Sequence, residues 1–288
     1  MEIKVYSPSN PLLKKYIESI YILRHTSDEK PINYITFPSI FTIVTVSEKS
    51  KSINKGNKLI IQQCDDNEIE TNIVSNFNKP VYIQYEGKIN EITIYFKPLA
   101  INSFLEYELH HYNHSDFSEF LPFKDYKKAM IDILSLQNDT EKIKAVESYW
   151  LSKLIGFQHH FLETVLSEMM GNKNDDLTIT ELCQKHAISR TTLNKHFDRH
   201  ICKTPSQFKK ILRFRNAVKI YASDKSKNSL TDISYSVNYF DQSHMTREFR
   251  SVTGLSPKAF LKKHLRWKKI KLTGYFYRWF TIVQFSPL

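Results

Sequence analysis

Two short runs of amide, hydroxyl and basic side chains are equipped to read DNA. Thr191, Asn194 and Lys195 form one run, and Gln242, Ser243, Thr246 and Arg247 form the other. Asn and Gln pair bidentately with adenine, Arg pairs with guanine, and Thr packs its methyl on thymine, so these side chains match what base edges offer. An apolar series at helical spacing is threaded through each run. Leu193, Phe197 and Ile201 recur at i, i+4 and i+8, while Met245 and Phe249, helped by Val252, do the same in the second. Each series predicts a helix with its apolar side in a core and its polar side in solvent, Arg250 joining the polar side of the second. We order the base readers Arg247, Gln242, Thr246, Asn194, Lys195, Thr191, Ser243. Either helix alone is equally well read as an ordinary solvated face.

The flanking sequence decides between these readings. Thr178-Ile179-Thr180-Glu181-Leu182 matches Ser229-Leu230-Thr231-Asp232-Ile233 at an offset of 51. Each opens with a hydroxyl residue and places an acid three positions later, the pattern of a capped helix start. Further on, Leu193, Phe197, Thr204-Pro205 and Phe208 match Met245, Phe249, Ser256-Pro257 and Phe260 at an offset of 52, so one residue has been added around Asn238-Tyr239-Phe240. One unit therefore occurs twice: a short capped helix, a tight turn, a second helix, then a Pro-led start to another helix. That is a pair of helix-turn-helix units, at 178–201 and 229–253.

The charge distribution agrees. Residues 172–288 hold 23 Lys/Arg against 8 Asp/Glu, net +15, whereas residues 1–171 hold 18 against 22, net −4, for +11 over 288 residues. A basic half joined to an acidic half suggests a polyanion-binding module beside a part with another task. With 41% hydrophobic and 25% charged residues the chain has globular composition and length for one or two domains. No apolar run approaches a membrane span and the first residues start no secretory signal, so we expect a cytoplasmic protein. Cys64, Cys183 and Cys202 lie far apart and read as reduced thiols; Cys183 and Cys202 fall inside the first unit, where a redox role is an open alternative to a place in the core.

The basic half resembles the paired helix-turn-helix domain of the AraC/XylS family of bacterial transcription regulators. The resemblance rests on Asp232-Ile233-Ser234-Tyr235-Ser236-Val237-Asn238-Tyr239-Phe240-Asp241-Gln242-Ser243-His244, on Phe249-Arg250-Ser251-Val252-Thr253-Gly254-Leu255-Ser256-Pro257, and on the linker-like Leu212-Arg213-Phe214-Arg215-Asn216-Ala217. It spans roughly 177–263. The family usually has glycine where Asn238 stands, and asparagine tolerates the left-handed conformation such a turn requires. Cys202 replaces the glycine that the second unit keeps as Gly254. The resemblance implies that both reader helices enter successive major grooves about one turn, ~34 Å, apart. It implies phosphate contacts from Lys209, Lys210, Arg213, Arg250, Lys258, Lys262 and Lys263, and from backbone amides at helix starts.

Upstream, Ile32–Phe37, Phe41–Val46 and Glu91–Phe96 are rich in β-branched and aromatic residues, with turn signals at Pro38-Ser39, Lys55-Gly56-Asn57, 76–80 and Glu86-Gly87-Lys88. Strands over 32–97 predict a sandwich or small barrel. Helical spacing follows at Leu99–Leu109, Lys124–Leu136, Thr140–Leu154 and Phe157–Met170. The expected fold class is α+β: a small β-barrel or sandwich with helices, cupin-like by the family resemblance, then an all-α double helix-turn-helix domain. We expect a sensor and dimerisation domain at 1–155, a DNA-binding domain at 156–267 with the polar linker 171–176 inside it, and a tail of unassigned role at 268–288.

Catalysis and metal binding have little support in the spacing. His110 and His114 share an i, i+4 spacing, but no glutamate completes a protease motif. His159 and His160 are adjacent and on a helix diverge by ~100°, so no site is expected there. The strand region contains no histidine, and there is no GxSxG or Walker loop. We therefore expect no enzyme, no cofactor and no metal. The leading reading is a sequence-specific transcription regulator that binds double-stranded DNA as a monomer or homodimer. By family resemblance it is an activator, with RNA polymerase and a small-molecule effector as further partners. The alternative is a ligand-independent architectural DNA-binding protein.

Overall fold

The computed structural model describes residues 2–26, 31–65, 68–171, 177–223, 229–264 and 284–286. Its strands are β1 (Glu2–Tyr6), β2 (Ile17–His25), β3 (Ile32–Thr36), β4 (Thr42–Glu48), β5 (Ser50–Lys55), β6 (Lys58–Gln63), β7 (Ile69–Val74), β8 (Val81–Glu86), β9 (Ile89–Phe96), β10 (Ser118–Glu119) and β11 (Gln284–Ser286). They make two sheets, ordered β1-β2-β9-β4-β7-β10 and β11-β3-β8-β6-β5, antiparallel throughout except for the parallel pair β6–β8.

The six-stranded sheet is covered on both sides. Ile3, Tyr21, Leu23, Ile43 and Val74 pack on one face against Leu59, Ile61, Ile83 and Tyr85 of the other sheet. Ile20, Ile22, Val44, Val46, Ile92, Ile94 and Phe96 pack on the opposite face under helices. Those helices are α1 (Tyr126–Ser135) and α2 (Asp139–Ser152), which bury Tyr126, Met130, Val146 and Trp150 completely. The Asn138 side chain caps α2 by accepting from the Thr140 and Glu141 amides. A strand buried on both faces cannot alternate apolar with polar, and the middle of β2 is the unbroken apolar run Ile20-Tyr21-Ile22-Leu23, all buried.

Asp139 fastens α2 to the sheet. Its carboxylate accepts from Arg24 on β2, and from Lys4 Nζ (3.0 Å) and the Tyr6 hydroxyl (3.3 Å) on β1. Arg24 first, then Lys4, hold the acid down to about 2, against burial that acts the other way. Because the folded state lowers this acid's pKa, the stabilisation is complete above the ordinary carboxylate range and is lost as pH falls toward 2. Asp139→Asn should cost about 1–2 kcal/mol at pH 6 and nearly nothing at pH 2, discounted for partly exposed partners. Urea unfolding of both proteins at the two pH values measures this.

Three expectations need correction. Strands begin at Glu2, and β2 is central, so the barrel does not start at 32. Leu99–Leu109 is not a helix but two 3-10 turns, at Ala100–Ser103 and Leu109–Tyr112. Leu99 adopts φ 70, and the Ser103 carbonyl is taken by the amides of Ile155 and Gly156, so no α-helical ladder can run through. The helix expected from Phe157 is α3 (Leu162–Met170) only, because the His159 ring accepts the Leu162 amide (3.3 Å) and holds the preceding chain out of the helix.

The basic half supplies α4 (Ile179–Lys185), α5 (Arg190–Ile201), α6 (Pro205–Ser223), α7 (Leu230–Ser236), α8 (Gln242–Thr253) and α9 (Pro257–His264). The expected linker lies outside the described residues except for Gly171, as does the tail except for 284–286, which pairs as β11 with β3. No helix among the described residues is long and apolar enough to cross a membrane.

Candidate nucleic-acid interface

Both copies of the repeat fold alike, for local reasons. Thr178 and Ser229 cap α4 and α7 in complete capping boxes with Glu181 and Asp232. Each short helix then turns through a left-handed residue, Ala187 (φ 51) or Asn238 (φ 61), so asparagine does the work expected of it. The next amide reaches back in the same way in both: Ile188 to the Cys183 carbonyl (3.0 Å) and Tyr239 to the Ser234 carbonyl (2.9 Å). Ser189 and Asp241 then cap α5 and α8. Two residues separate Asn238 from its cap and one separates Ala187 from its own, so the added residue is Phe240. It is 86% exposed, while Tyr239 is buried. At the far ends Cys202 (φ 55) and Gly254 (φ 74) are both left-handed. The first unit thus keeps the glycine geometry with a cysteine, at a strain cost of ~1–2 kcal/mol.

The apolar series lie where the spacing puts them. Leu193, Phe197 and Ile201 are buried with Leu182, Cys183, Phe208 and Ile211, and with Leu162, Val165 and Leu166 of α3. Met245, Phe249 and Val252 are buried with Phe214, Ile233, Val237, Phe260 and Leu261. Both cysteines of the first unit are buried, and burial pushes their thiols up, Cys202 to about 11, which disfavours the thiolate a redox sensor needs.

On the outer faces Thr191, Asn194 and Lys195 of α5 and Gln242, Ser243 and Arg247 of α8 are exposed. Thr246 is half-buried and its hydroxyl donates to the Gln242 carbonyl (2.8 Å), leaving its methyl and a lone pair for a base. The offset of 52 pairs Thr191 with Ser243, Asn194 with Thr246 and Lys195 with Arg247. It also pairs Gln242 with Arg190, the exposed first residue of α5, which the spacing argument missed. The repeat itself carried that signal.

The basic residues divide. Arg250, Lys258, Lys262 and Lys263 are exposed, and Lys210 is partly so. Lys209 is a correction: its side chain is buried and Nζ donates to the Leu177 carbonyl (2.5 Å), tying α6 to the entry of α4. Arg213 is another. Its guanidinium grips Glu248 of α8 in a two-pronged pair (3.0 and 2.6 Å) and lies over the Tyr239 ring, so it orients α8. Lys262→Ala should weaken every duplex alike and lower the salt slope of log K by about 1. Binding to random and selected duplexes across a salt series checks this.

The N-terminal half reaches into both units. Phe37, following β3, enters the second unit's core against Phe260 (ring centroids 5.1 Å) and Phe214 (6.4 Å). Ile40 and Phe41, three and four residues later, enter the first unit's core. Arg215 of α6 donates to the Phe37 (2.6 Å) and Pro38 (2.8 Å) carbonyls between them. Nothing in the sequence of 37–41 beyond a turn signal announced this wedge.

A second gathering overturns a sequence expectation. His159 and His160 are not helical; their rings stack at 4.7 Å, and His159 faces His196 and His200 of α5.

Residues 182–263 match the family model described as a helix-turn-helix domain. Among solved structures the chain is similar to ToxT from Vibrio cholerae at 1.65 Å resolution, with 11% identity over 88% of this chain and 98% of that one and a TM-score of 0.41. It is similar also to an unsaturated fatty acid bound wild-type ToxT from the same organism, with 12% identity over 84% and 94% and a TM-score of 0.38. No curated protein matches. The match over 182–263, joined to the paired geometry above, makes this part of the chain a helix-turn-helix domain.

Proposed function

We propose that the chain is a sequence-specific transcription regulator whose two helix-turn-helix units read one duplex together. One observation carries this: two polar outer faces, matched position for position by the 52-residue offset, stand on either side of the 19-residue helix α6. At ~1.5 Å per residue α6 is ~28 Å long, close to the ~34 Å between successive major grooves on one side of DNA. The reading unit is complete within one chain, which acts as a monomer or homodimer in the cytoplasm. The division we favour is sensor at 1–155, DNA-binding domain at 156–267 and tail at 268–288.

The N-terminal half is the natural input. A cavity of about 50 Å³ between its sheets is lined by Leu23, Tyr34, Ile43, Ile83 and Tyr95, with Thr45 as a polar neighbour; it is mainly apolar, and an effector of more than a few atoms enters it only as the sheets move apart. Tyr34 precedes the wedge in sequence, and Tyr95 touches Phe41 within it (ring centroids 6.0 Å), so a molecule in the cavity acts on the segment that enters both cores. Activation through RNA polymerase is the output this arrangement serves.

The test is affinity for selected and random duplexes at two salt concentrations. A regulator retains a ratio of ~10³ or more on its own site. An architectural binder shows only the salt-dependent term common to all DNA, and that result overturns the proposal.

A further inference from the structure

Three histidines converge where the two halves of the chain meet. His196 and His200 sit one turn apart on α5, and His159 comes from the non-helical segment ahead of α3. One ring nitrogen from each lies within 4.8 Å of the others, the one such gathering of metal-ligating side chains among the described residues. His159 Nε2 and His196 Nδ1 are 2.9 Å apart. A tetrahedral ion with bonds of ~2.0–2.1 Å holds its nitrogens ~3.3 Å apart, so modest ring rotations close the set.

The surroundings favour a ligand set. Asn102 Nδ2 donates to the Leu99 and His200 carbonyls (both 2.9 Å), which fixes its Oδ1 as an acceptor. That oxygen is 3.3 Å from His200 Nδ1, so Nδ1 carries the proton and the Nε2 lone pair is left for a ligand. Such a partner on the far nitrogen is what metal-bound imidazoles possess. Burial, and then the neighbouring rings, hold His159 down to about 4, and burial lowers His196 and His200 as well. His200 is buried while His159 and His196 are partly exposed, which gives an ion a way in. Loading replaces the His159–His196 hydrogen bond and moves the His159 proton to Nδ1, at the expense of long amide contacts there (3.3 and 3.5 Å).

We propose that His159, His196 and His200 bind one divalent transition-metal ion of the imidazole-preferring class, with water at the remaining position. Zinc is the probe. The ion would cross-link reader helix α5 to the segment that arrives from the N-terminal half. Lys195, a candidate base reader, precedes His196 directly, so metal occupancy bears on the first unit's hold on DNA.

The test uses the full chain without a histidine tag, stripped of metal. Zinc titration against a chromophoric chelator should give one ion per chain at micromolar or tighter affinity. Cobalt should give the intense visible bands of a four- or five-coordinate nitrogen site. H196N and H159Q should each weaken zinc binding by ~100-fold or more, and the triple variant H110Q/H111Q/H114Q should bind as the parent does. Circular dichroism establishes that each variant is folded, and the cobalt spectrum of the parent decides the matter should one of them not fold. No stoichiometric zinc, a weak octahedral cobalt spectrum, or parental affinity in a folded H196N protein each overturns the proposal.

Discussion

Phe37→Ala will destabilise the DNA-binding half although the residue belongs to the barrel. Its ring is 2% exposed and fills the second unit's core between Phe214 and Phe260. Truncating a buried phenylalanine costs about 3–5 kcal/mol, because the lost transfer energy is joined by that of the cavity left behind. The cavity opens against α6 and α9, so the second reader should lose its fixed orientation along with its stability. The Arg215 bonds to the Phe37 and Pro38 carbonyls involve backbone and survive, which holds the loop near its place with nothing to insert. Urea unfolding followed by tryptophan fluorescence and by duplex binding reads both effects. A loss under 1 kcal/mol would mean that the wedge is incidental and the two halves are coupled elsewhere.

Arg247→Ala should cost about 1–3 kcal/mol on the selected duplex and almost nothing on random DNA. Arg247 is exposed, and no protein group among the described residues holds its guanidinium. Glu248 beside it is already engaged by Arg213 and His244, so a nearby carboxylate does not capture the reader. The loss should fall on one base position, with preference there relaxing toward all four bases. Equal weakening on every duplex would move Arg247 to the phosphate contacts. Competition binding against a panel of single-base substitutions separates the two outcomes.

The helix-turn-helix pair was legible because its determinants are local. Capping boxes at Thr178 and Ser229, left-handed turns at Ala187 and Asn238, and prolines at the starts of α6 and α9 lie within a few residues of what they control. The repeat multiplied each weak signal by two. What stayed hidden depends on distant partners. β2 shows no alternation because it is covered on both faces, and the reading of strands from 32 onward missed it for that reason. Lys209 and Arg213 count as basic residues in any tally, yet one is buried against Leu177 and the other faces Glu248, neither visible from spacing. No site is expected at His159-His160 from helical spacing, but the His159 ring accepts the Leu162 amide outside α3, and its partners His196 and His200 lie far off in sequence. The wedge at 37–41 is the extreme case, a turn by sequence whose apolar residues are there for two cores more than a hundred residues away.

On the function proposed above, one chain reads one duplex with two helices held at a fixed separation. The most direct measurement is affinity for a selected two-part site and for the same site with ~5 bp inserted between its parts, which turns one part to the far side of the DNA. The insertion should reduce binding to that of an isolated half-site, a loss of ~100-fold or more. Unchanged affinity after the insertion would contradict it, since reader faces fixed on either side of α6 cannot follow a half-turn of the double helix.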